Sequence, residues 1–165
     1  MSNPELLAIY LRDHHSTAGG AIELCRRVSK SNSENEFGRK AEVLAAELSR
    51  DRTVLEEVMA AVDVDTSRVK DAGAWIAEKL GRLKLNGRVV SYSPLSRVVE
   101  FEALAMGVAG KIRLWRSLQI ARQSDERLAG FDFDALIERA QDQRATVETL
   151  HQKAVEVAFV EGGGA

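Results

Sequence analysis

The sequence predicts an all-α fold, a four-helix bundle with one shorter additional helix in the connection between its second and third long helices. Apolar residues recur at the spacing of amphipathic helices through four runs of 27 to 29 residues. At 1.5 Å per residue each run is about 40 Å long, and a four-helix bundle requires helices of nearly equal length. Two prolines in 165 residues are too few for a loop-rich sandwich or barrel.

The first two long helices are predicted at residues 4–30 and 34–62. Asn3 suits the N-cap of the first helix and Pro4 its first turn. The polar residues 31–33 turn the chain into the second helix. The inward-facing stripes are Leu7, Leu11, His14 or His15, Ala18, Ile22, Cys25 and Val28 in the first helix, and Phe37, Ala41, Leu44, Leu48, Leu55, Val58 and Met59 in the second.

The remaining elements follow a polar break at residues 63–66. The shorter helix is predicted at 67–85, lying against the bundle, and residues 86–92 form a loop with extended character. Ser93 and Pro94 begin the third long helix, 94–122, whose apolar residues occupy more than one face and therefore predict packing on two sides. The last helix is predicted at 132–160. The sequence thus predicts one helical domain, 1–161, and a flexible Gly-rich tail, 162–165.

Two groups of small residues lie within the long helices. One is the run 18–21 in the first helix, and the other is Ala103, Gly107 and Gly110 in the third. A glycine inside a helix costs about 1 kcal/mol relative to alanine. The groups therefore predict a close approach between helix backbones.

The last helix contains Glu148-x-x-His151, which places a carboxylate and an imidazole on one helix face. This spacing resembles half of the di-iron signature of ferritin-like four-helix bundles, and the resemblance implies a ferritin-like bundle with inward-facing metal ligands. The second helix departs from that pattern. It contains Glu47-x-x-Arg50, with arginine at the position where the motif has histidine. An arginine there would repel a dication.

Two arrangements are open for the helical histidines. If the first and last helices are antiparallel, His14 or His15 shares a layer with Glu148 and His151, and these residues are candidate metal ligands. If the chain instead returns along the bundle before the third helix, the first and last helices are parallel. His151 then lies roughly 13 Å or more from His14 along the axis. The favoured interpretation assigns no metal and places the histidines in a buried polar layer, with His14 or His15 partnered by Asp51 or Glu148.

Charge is unevenly distributed along a chain whose formal net charge is −2. Residues 1–78 carry −4, residues 79–124 carry +7, and residues 125–165 carry −5. We expect the basic middle to pair with acidic helices of the fold or with a protein partner. A patch within residues 79–97 is an alternative site for an anionic partner, although no nucleic-acid-binding motif accompanies it. Its basic residues are Lys79, Arg82, Lys84, Arg88 and Arg97.

No side chain is equipped as a catalytic nucleophile, so the sequence predicts no catalytic residue and no cofactor. Cys25 lies on the inner stripe of the first helix and is interpreted as a small core residue. As the only cysteine it forms no internal disulfide. The chain has no basic segment ahead of an apolar one and no apolar run of about 18 residues. It therefore predicts no signal peptide or membrane span, and a cytoplasmic protein.

Several segments resemble a group of small uncharacterised helical proteins from high-GC Gram-positive (actinobacterial) bacteria. The resemblance covers nearly the whole chain, and it implies a helical fold and a lineage but no catalytic residue. The segments are 81–88 (Gly-Arg-Leu-Lys-Leu-Asn-Gly-Arg), 93–97 (Ser-Pro-Leu-Ser-Arg) with Glu100, 11–14 (Leu-Arg-Asp-His), 36–38 (Glu-Phe-Gly) and 111–115 (Lys-Ile-Arg-Leu-Trp).

These observations favour a non-enzymatic helical-bundle module that acts through protein-protein contacts, with another protein or as a homodimer. One alternative is a divergent ferritin-like metal-binding protein that uses His14 or His15 with Glu148 and His151. The second alternative is an anion-binding protein that uses the basic segment 79–97.

Overall fold

The computed structural model describes residues 3–66 and 92–160, which form four α-helices and no β-strand. The helices are α1 (Pro4–Ser31), α2 (Glu36–Ala61), α3 (Pro94–Ala121) and α4 (Phe133–Phe159), and a short 3₁₀-helix (Glu126–Leu128) precedes α4. The predicted all-α class with four long helices is confirmed, and every helix end lies within two residues of its predicted position. The additional helix 67–85, most of the loop 86–92 and the tail 162–165 lie outside the described residues.

Each long helix begins at a side-chain cap. Asn3 accepts a hydrogen bond from the backbone of the first turn of α1, and Ser93 and Ser96 form a reciprocal capping box at the start of α3. Asn35 and Asp132 cap α2 and α4 in the same way. These side chains satisfy backbone donors that have no partner within the helix, and so they determine where each helix begins.

The helices form two antiparallel hairpins, α1 with α2 and α3 with α4, which meet along α1 and α3. Tyr10 near the start of α1 donates to Ser117 near the end of α3 at 3.2 Å. Arg27 near the end of α1 lies 3.1 Å from Glu100 near the start of α3. α1 and α3 are therefore antiparallel, and the end of α2 and the beginning of α3 lie at opposite ends of the bundle.

α4 runs antiparallel to both α2 and α3. Lys153 near the end of α4 donates to Glu36 at the start of α2 at 2.9 and 2.8 Å. Gln119 near the end of α3 donates to Asp134 near the start of α4 at 2.6 Å. Since α1 is also antiparallel to α3, the first and last helices are parallel. This is the parallel arrangement, the second of the two that the sequence analysis considers for the helical histidines.

The hydrophobic core lies between all four helices. Its largest fully buried side chains are Trp115, Phe101 and Phe133, and the rings of Trp115 and Phe133 are 6.4 Å apart. Burying an apolar side chain of this size contributes about 1.5–3 kcal/mol. Each helix nevertheless keeps a polar face, and none of those in the described ranges is apolar enough over sufficient length to cross a membrane.

Close backbone approach occurs at two glycines. A Cβ at Gly38 would lie 2.0 Å from the carbonyl oxygen of Asn32, so the turn between α1 and α2 requires glycine there. A Cβ at Gly107 would lie 3.9 Å from the Cβ of Ala21, which confirms that small residues meet where α1 crosses α3. Gly110 differs, because no described atom lies within 4 Å of its Cβ position.

Candidate protein interface and buried polar layer

A buried ion pair lies at the centre of the bundle. Asp51 of α2 is 3% exposed, and its carboxylate accepts a hydrogen bond from the ammonium group of Lys111 on α3. Lys111 also donates to the side-chain oxygen of Gln143 on α4, and the Gln143 amide donates to Asp51 Oδ2 at 3.1 Å. Each of the three side chains bonds to the other two, so three helices share one closed polar cluster.

A second cation reaches the same carboxylate from the surface. Arg139 of α4, whose side chain is 43% exposed, places Nη2 2.5 Å from Asp51 Oδ1. Burial lowers the pKa of Lys111, and the neighbouring Asp51 carboxylate opposes that shift. Both oxygens of Asp51 are thus engaged by groups of the bundle itself.

A narrow cleft between α1, α2 and α3 ends at this polar cluster. Its lining is mainly apolar, and its polar side chains are His14, Thr17, Asp51, Arg52 and Lys111. Its volume of about 40 Å³ has room for a few water molecules. Binding sites for organic ligands are about 300–1,000 Å³, so the cleft is too small for one.

His15 belongs to the predicted polar layer, but its predicted partners are wrong. His15 is buried, and its Nε2 lies 2.7 Å from Glu56 Oε1 and 3.2 Å from Arg52 Nε, both on α2. Asp51 bonds elsewhere, as described above, and Glu148 pairs with Arg144 one turn away on α4 at 3.9 Å. The face of α2 that meets the imidazole therefore carries Arg52 and Glu56, whereas Asp51 faces α3 and α4.

The candidate metal ligands are not brought together. His151 lies 3.5 Å from Glu102 on α3, nine residues and thus about 14 Å along that helix from Lys111. His14 lines the cleft at Lys111, with its ring 4.5 Å from that of Tyr10. Within residues 3–66 and 92–160, no group of three or more histidine, cysteine or acidic side chains could hold a metal ion.

Cys25 is fully buried in the core, as its position on the inner stripe predicts. Burial raises the pKa of the Cys25 thiol to about 12, and the nearby Lys111 ammonium offsets only part of that increase. The thiol is therefore protonated at neutral pH, and a thiolate is the reactive form.

A second buried carboxylate, Glu100, lies near the start of α3. The hydroxyl of Tyr92 donates to it at 2.8 Å, and Arg27 of α1 lies 3.1 Å from its other oxygen. The side-chain amide of Asn32 in turn donates to the Tyr92 hydroxyl at 2.7 Å. Burial raises the pKa of Glu100, and the hydrogen bond from Tyr92 and the charge of Arg27 offset only part of that increase.

One residue of the predicted basic patch is described by the structure. Arg97 stacks its guanidinium 4.8 Å from the centre of the Phe37 ring, at the junction of α2 and α3. The other four residues, Lys79, Arg82, Lys84 and Arg88, lie outside the described residues.

The face of α3 that points away from the core carries three exposed large apolar side chains. Leu95 is 48% exposed, Met106 is 46% and Ile120 is 68%. More of these side chains lie on α3 than on any other helix in the part of the chain that the structure describes. Two exposed charged residues, Glu102 and Arg113, lie between them on the same face. We call these five residues the outward strip.

Sequence reasoning singled out Asp51 but missed Lys111 and Gln143. Both occur at inward spacing within their helices, between buried apolar residues such as Ala140 and Val147 around Gln143. A lone polar residue at such a position is a usable signal, because burial obliges it to find a hydrogen-bond partner. The signal does not name that partner, which here comes from other helices.

Comparison with known proteins yields no match to this chain among protein-family models, curated proteins or solved structures.

Proposed function

We propose that this chain is a non-enzymatic helical-bundle module that acts through protein-protein contacts, with the outward strip of α3 as its contact surface. The observation that carries the proposal is the alignment of Leu95, Met106 and Ile120 on one exposed face. Single exposed apolar side chains are ordinary, but a row of them on one face is typical of a surface that another molecule covers.

The pairing of buried charges supports a non-enzymatic role. Asp51 and Lys111 bond to each other and to Gln143. Glu100 accepts a hydrogen bond from Tyr92 and forms an ion pair with Arg27. A general acid or base must reach the proton that it transfers on a substrate. These groups instead join helices, and the cleft at Lys111 is too small to admit an organic substrate.

We also infer that the bundle is ferritin-like in its topology, in keeping with the sequence resemblance to actinobacterial helical proteins. The supporting observation is the direction of the helices. α2 and α3 run the same way, and a ferritin-like bundle has one long crossover between its second and third helices. The inference concerns topology and carries no metal chemistry, because His15 and His151 have different partners.

Site-specific photo-crosslinking tests the proposed contact surface. A photoreactive phenylalanine analogue replaces Met106 on the outward strip or, as a control, exposed Glu138 on α4, in the full chain made in its native cells. We expect a covalent protein adduct from position 106 and none from position 138. Equal yields at the two positions, or no adduct at 106, would contradict the proposal.

A further inference from the structure

Two buried hydrogen-bond donors on α3 have no acceptor within residues 3–66 and 92–160. The Trp115 side chain is 1% exposed, and its indole Nε1 has no hydrogen-bond partner there. The Lys111 ammonium has three N–H groups, and its described acceptors are two, Asp51 and Gln143. A donor that is buried without an acceptor destabilises the fold. Each of these donors therefore needs an acceptor from another source.

Both donors line the narrow cleft between α1, α2 and α3. Lys111 and Trp115 are four residues apart, so they lie one turn apart on the same face of α3. Small residues, Ala18, Ala21 and Gly107, form the wall of the cleft where α1 crosses α3. Larger side chains would fill this space. The small residues of the two helices thus leave room directly beside the two donors.

The charges of the cleft lining favour an anion. Two cationic side chains, Lys111 and Arg52, and one carboxylate, Asp51, line the cleft. Both oxygens of Asp51 are already engaged by groups of the bundle. Two further carboxylates lie outside the lining, Glu56 at 3.5 Å from Arg52 and Glu47, which acts on Lys111 through its charge. Within the lining itself, cations outnumber carboxylates.

We propose that the cleft binds a small inorganic anion of the halide class, such as chloride, which accepts hydrogen bonds from the Lys111 ammonium and the Trp115 indole. A halide is an acceptor only, whereas a water molecule brings two hydrogens that need acceptors of their own. The volume of about 40 Å³ holds a monatomic anion and excludes organic ones.

The site goes beyond the proposed function and is independent of the outward strip, because Lys111 and Trp115 lie on the inward side of α3. A halide bound there contacts α3 in the space that α1 and α2 enclose. Its binding stabilises the folded chain, since the unfolded chain has no such site. Chloride should therefore raise the midpoint of urea denaturation more than an equal concentration of an anion too large for the cleft.

The indole N–H of Trp115 reports on the site directly. Its resonance in ¹H–¹⁵N spectra of the full chain is assigned by its loss in Trp115→Phe. Sodium chloride replaces sodium gluconate stepwise up to about 200 mM at constant ionic strength, so that general screening does not change. We expect a saturable shift of the Trp115 resonance with a dissociation constant of about 1–50 mM.

Two variants test the donors, with the line width of ³⁵Cl resonances as a readout that does not need the indole. Lys111→Met removes the ammonium and should weaken chloride binding at least about tenfold. Trp115→Phe keeps an aromatic ring in the core and removes the N–H, and it should weaken binding at least about threefold. The control Arg116→Met removes an exposed cation of the same helix and should leave binding unchanged.

The outcomes that would overturn the site are distinct. A Trp115 resonance without a saturable response to chloride shows that the cleft holds water alone. Equal weakening by Lys111→Met and Arg116→Met shows a general effect of surface charge. If Lys111→Met does not fold, the wild-type titration and Trp115→Phe decide, and unchanged ³⁵Cl broadening in Trp115→Phe refutes the role of the indole.

Discussion

Two carboxylates are buried within the long helices that the structure describes, Asp51 and Glu100, and they differ in how they are accommodated. Asp51, at mid-length, is engaged by an almost fully buried ammonium group, a guanidinium and an amide from two other helices. Glu100, close to the start of α3, is engaged by a tyrosine hydroxyl and by the half-exposed Arg27. Of these two carboxylates, Asp51 is the one whose described partners include a buried cation.

The difference shows what a buried charge requires of its surroundings. Removing a carboxylate from water is costly unless opposite charge and hydrogen bonds replace the lost hydration. At Glu100 the replacement is incomplete, and burial raises its pKa. At Lys111 burial lowers the pKa while Asp51 opposes the shift. We therefore expect substitutions of Asp51 to change mainly the free energy of unfolding at neutral pH. Substitutions of Glu100 should change mainly how that free energy depends on pH.

Removing Asp51 should have the largest effect. Asp51→Ala leaves the Lys111 ammonium buried without its counterion, and loss of one partner from a buried ion pair costs about 3–5 kcal/mol. Urea denaturation at pH 7 measures the loss. The control Glu57→Ala, exposed on the same helix, should change stability by less than about 0.5 kcal/mol. A loss below about 1 kcal/mol for Asp51→Ala would contradict this account of the pair.

Replacing the whole cluster should restore much of that stability. The triple variant Asp51→Leu, Lys111→Met and Gln143→Leu removes every buried polar side chain of this cluster, and the half-exposed Arg139 turns to solvent. Buried ion pairs replaced by apolar side chains of similar volume often give equal or higher stability. We expect the triple variant to exceed Asp51→Ala by at least about 2 kcal/mol in the same urea experiment. Equal stability of the two variants would show that the cluster is not the source of the loss.

The helices were predictable from sequence because their determinants are local. Asn3 and the Ser93–Pro94 pair indicate where helices begin whatever the tertiary fold, because a cap acts on its own first turn. The spacing of apolar residues indicates the inward face. The direction of the last helix was not predictable, because it depends on how the chain passes between α2 and α3. The partner of His15 was missed for a related reason. Arg52 and Glu56 lie on a different face of α2 from Asp51, and arithmetic along the helix axis does not resolve which face meets the imidazole.

The two faces of α3 show a further limit. Periodicity predicted packing on two sides, and the structure places one side in the core and leaves Leu95, Met106 and Ile120 exposed. A repeat of apolar residues indicates that a face is suited to burial. It does not say whether the covering helix belongs to the same chain or to another copy.

Tyr92→Phe should have a moderate effect on stability, through Glu100 and Asn32. The substitution removes the hydroxyl that accepts from Asn32 and donates to Glu100. Losing hydrogen bonds to buried groups costs about 1–2 kcal/mol, and the pKa of Glu100 should rise further because the Tyr92 bond lowers it. Thermal and urea denaturation measure the cost. The matched control is Tyr10→Phe, which removes an exposed hydrogen bond from α1 to Ser117 on α3. A cost no larger than that of the control would contradict the role of the hydroxyl.

Glu100→Gln should have the smallest effect at acid pH and the most pronounced pH dependence. The pKa of Glu100 is raised above its ordinary value of 4.5 in the folded protein, so folding favours the protonated form. The stability that this provides is fully present below pH 4.5 and is lost as the pH rises through the folded-state pKa. Glutamine keeps a neutral acceptor for Tyr92 and has no proton to lose. The variant should therefore lie within about 1 kcal/mol of wild type near pH 4, and its stability relative to wild type should increase as the pH rises above 4.5 until Glu100 is ionised in the folded protein. The control Glu138→Gln should show no such gain, and a gain that reverses sign with pH would refute the raised pKa of Glu100.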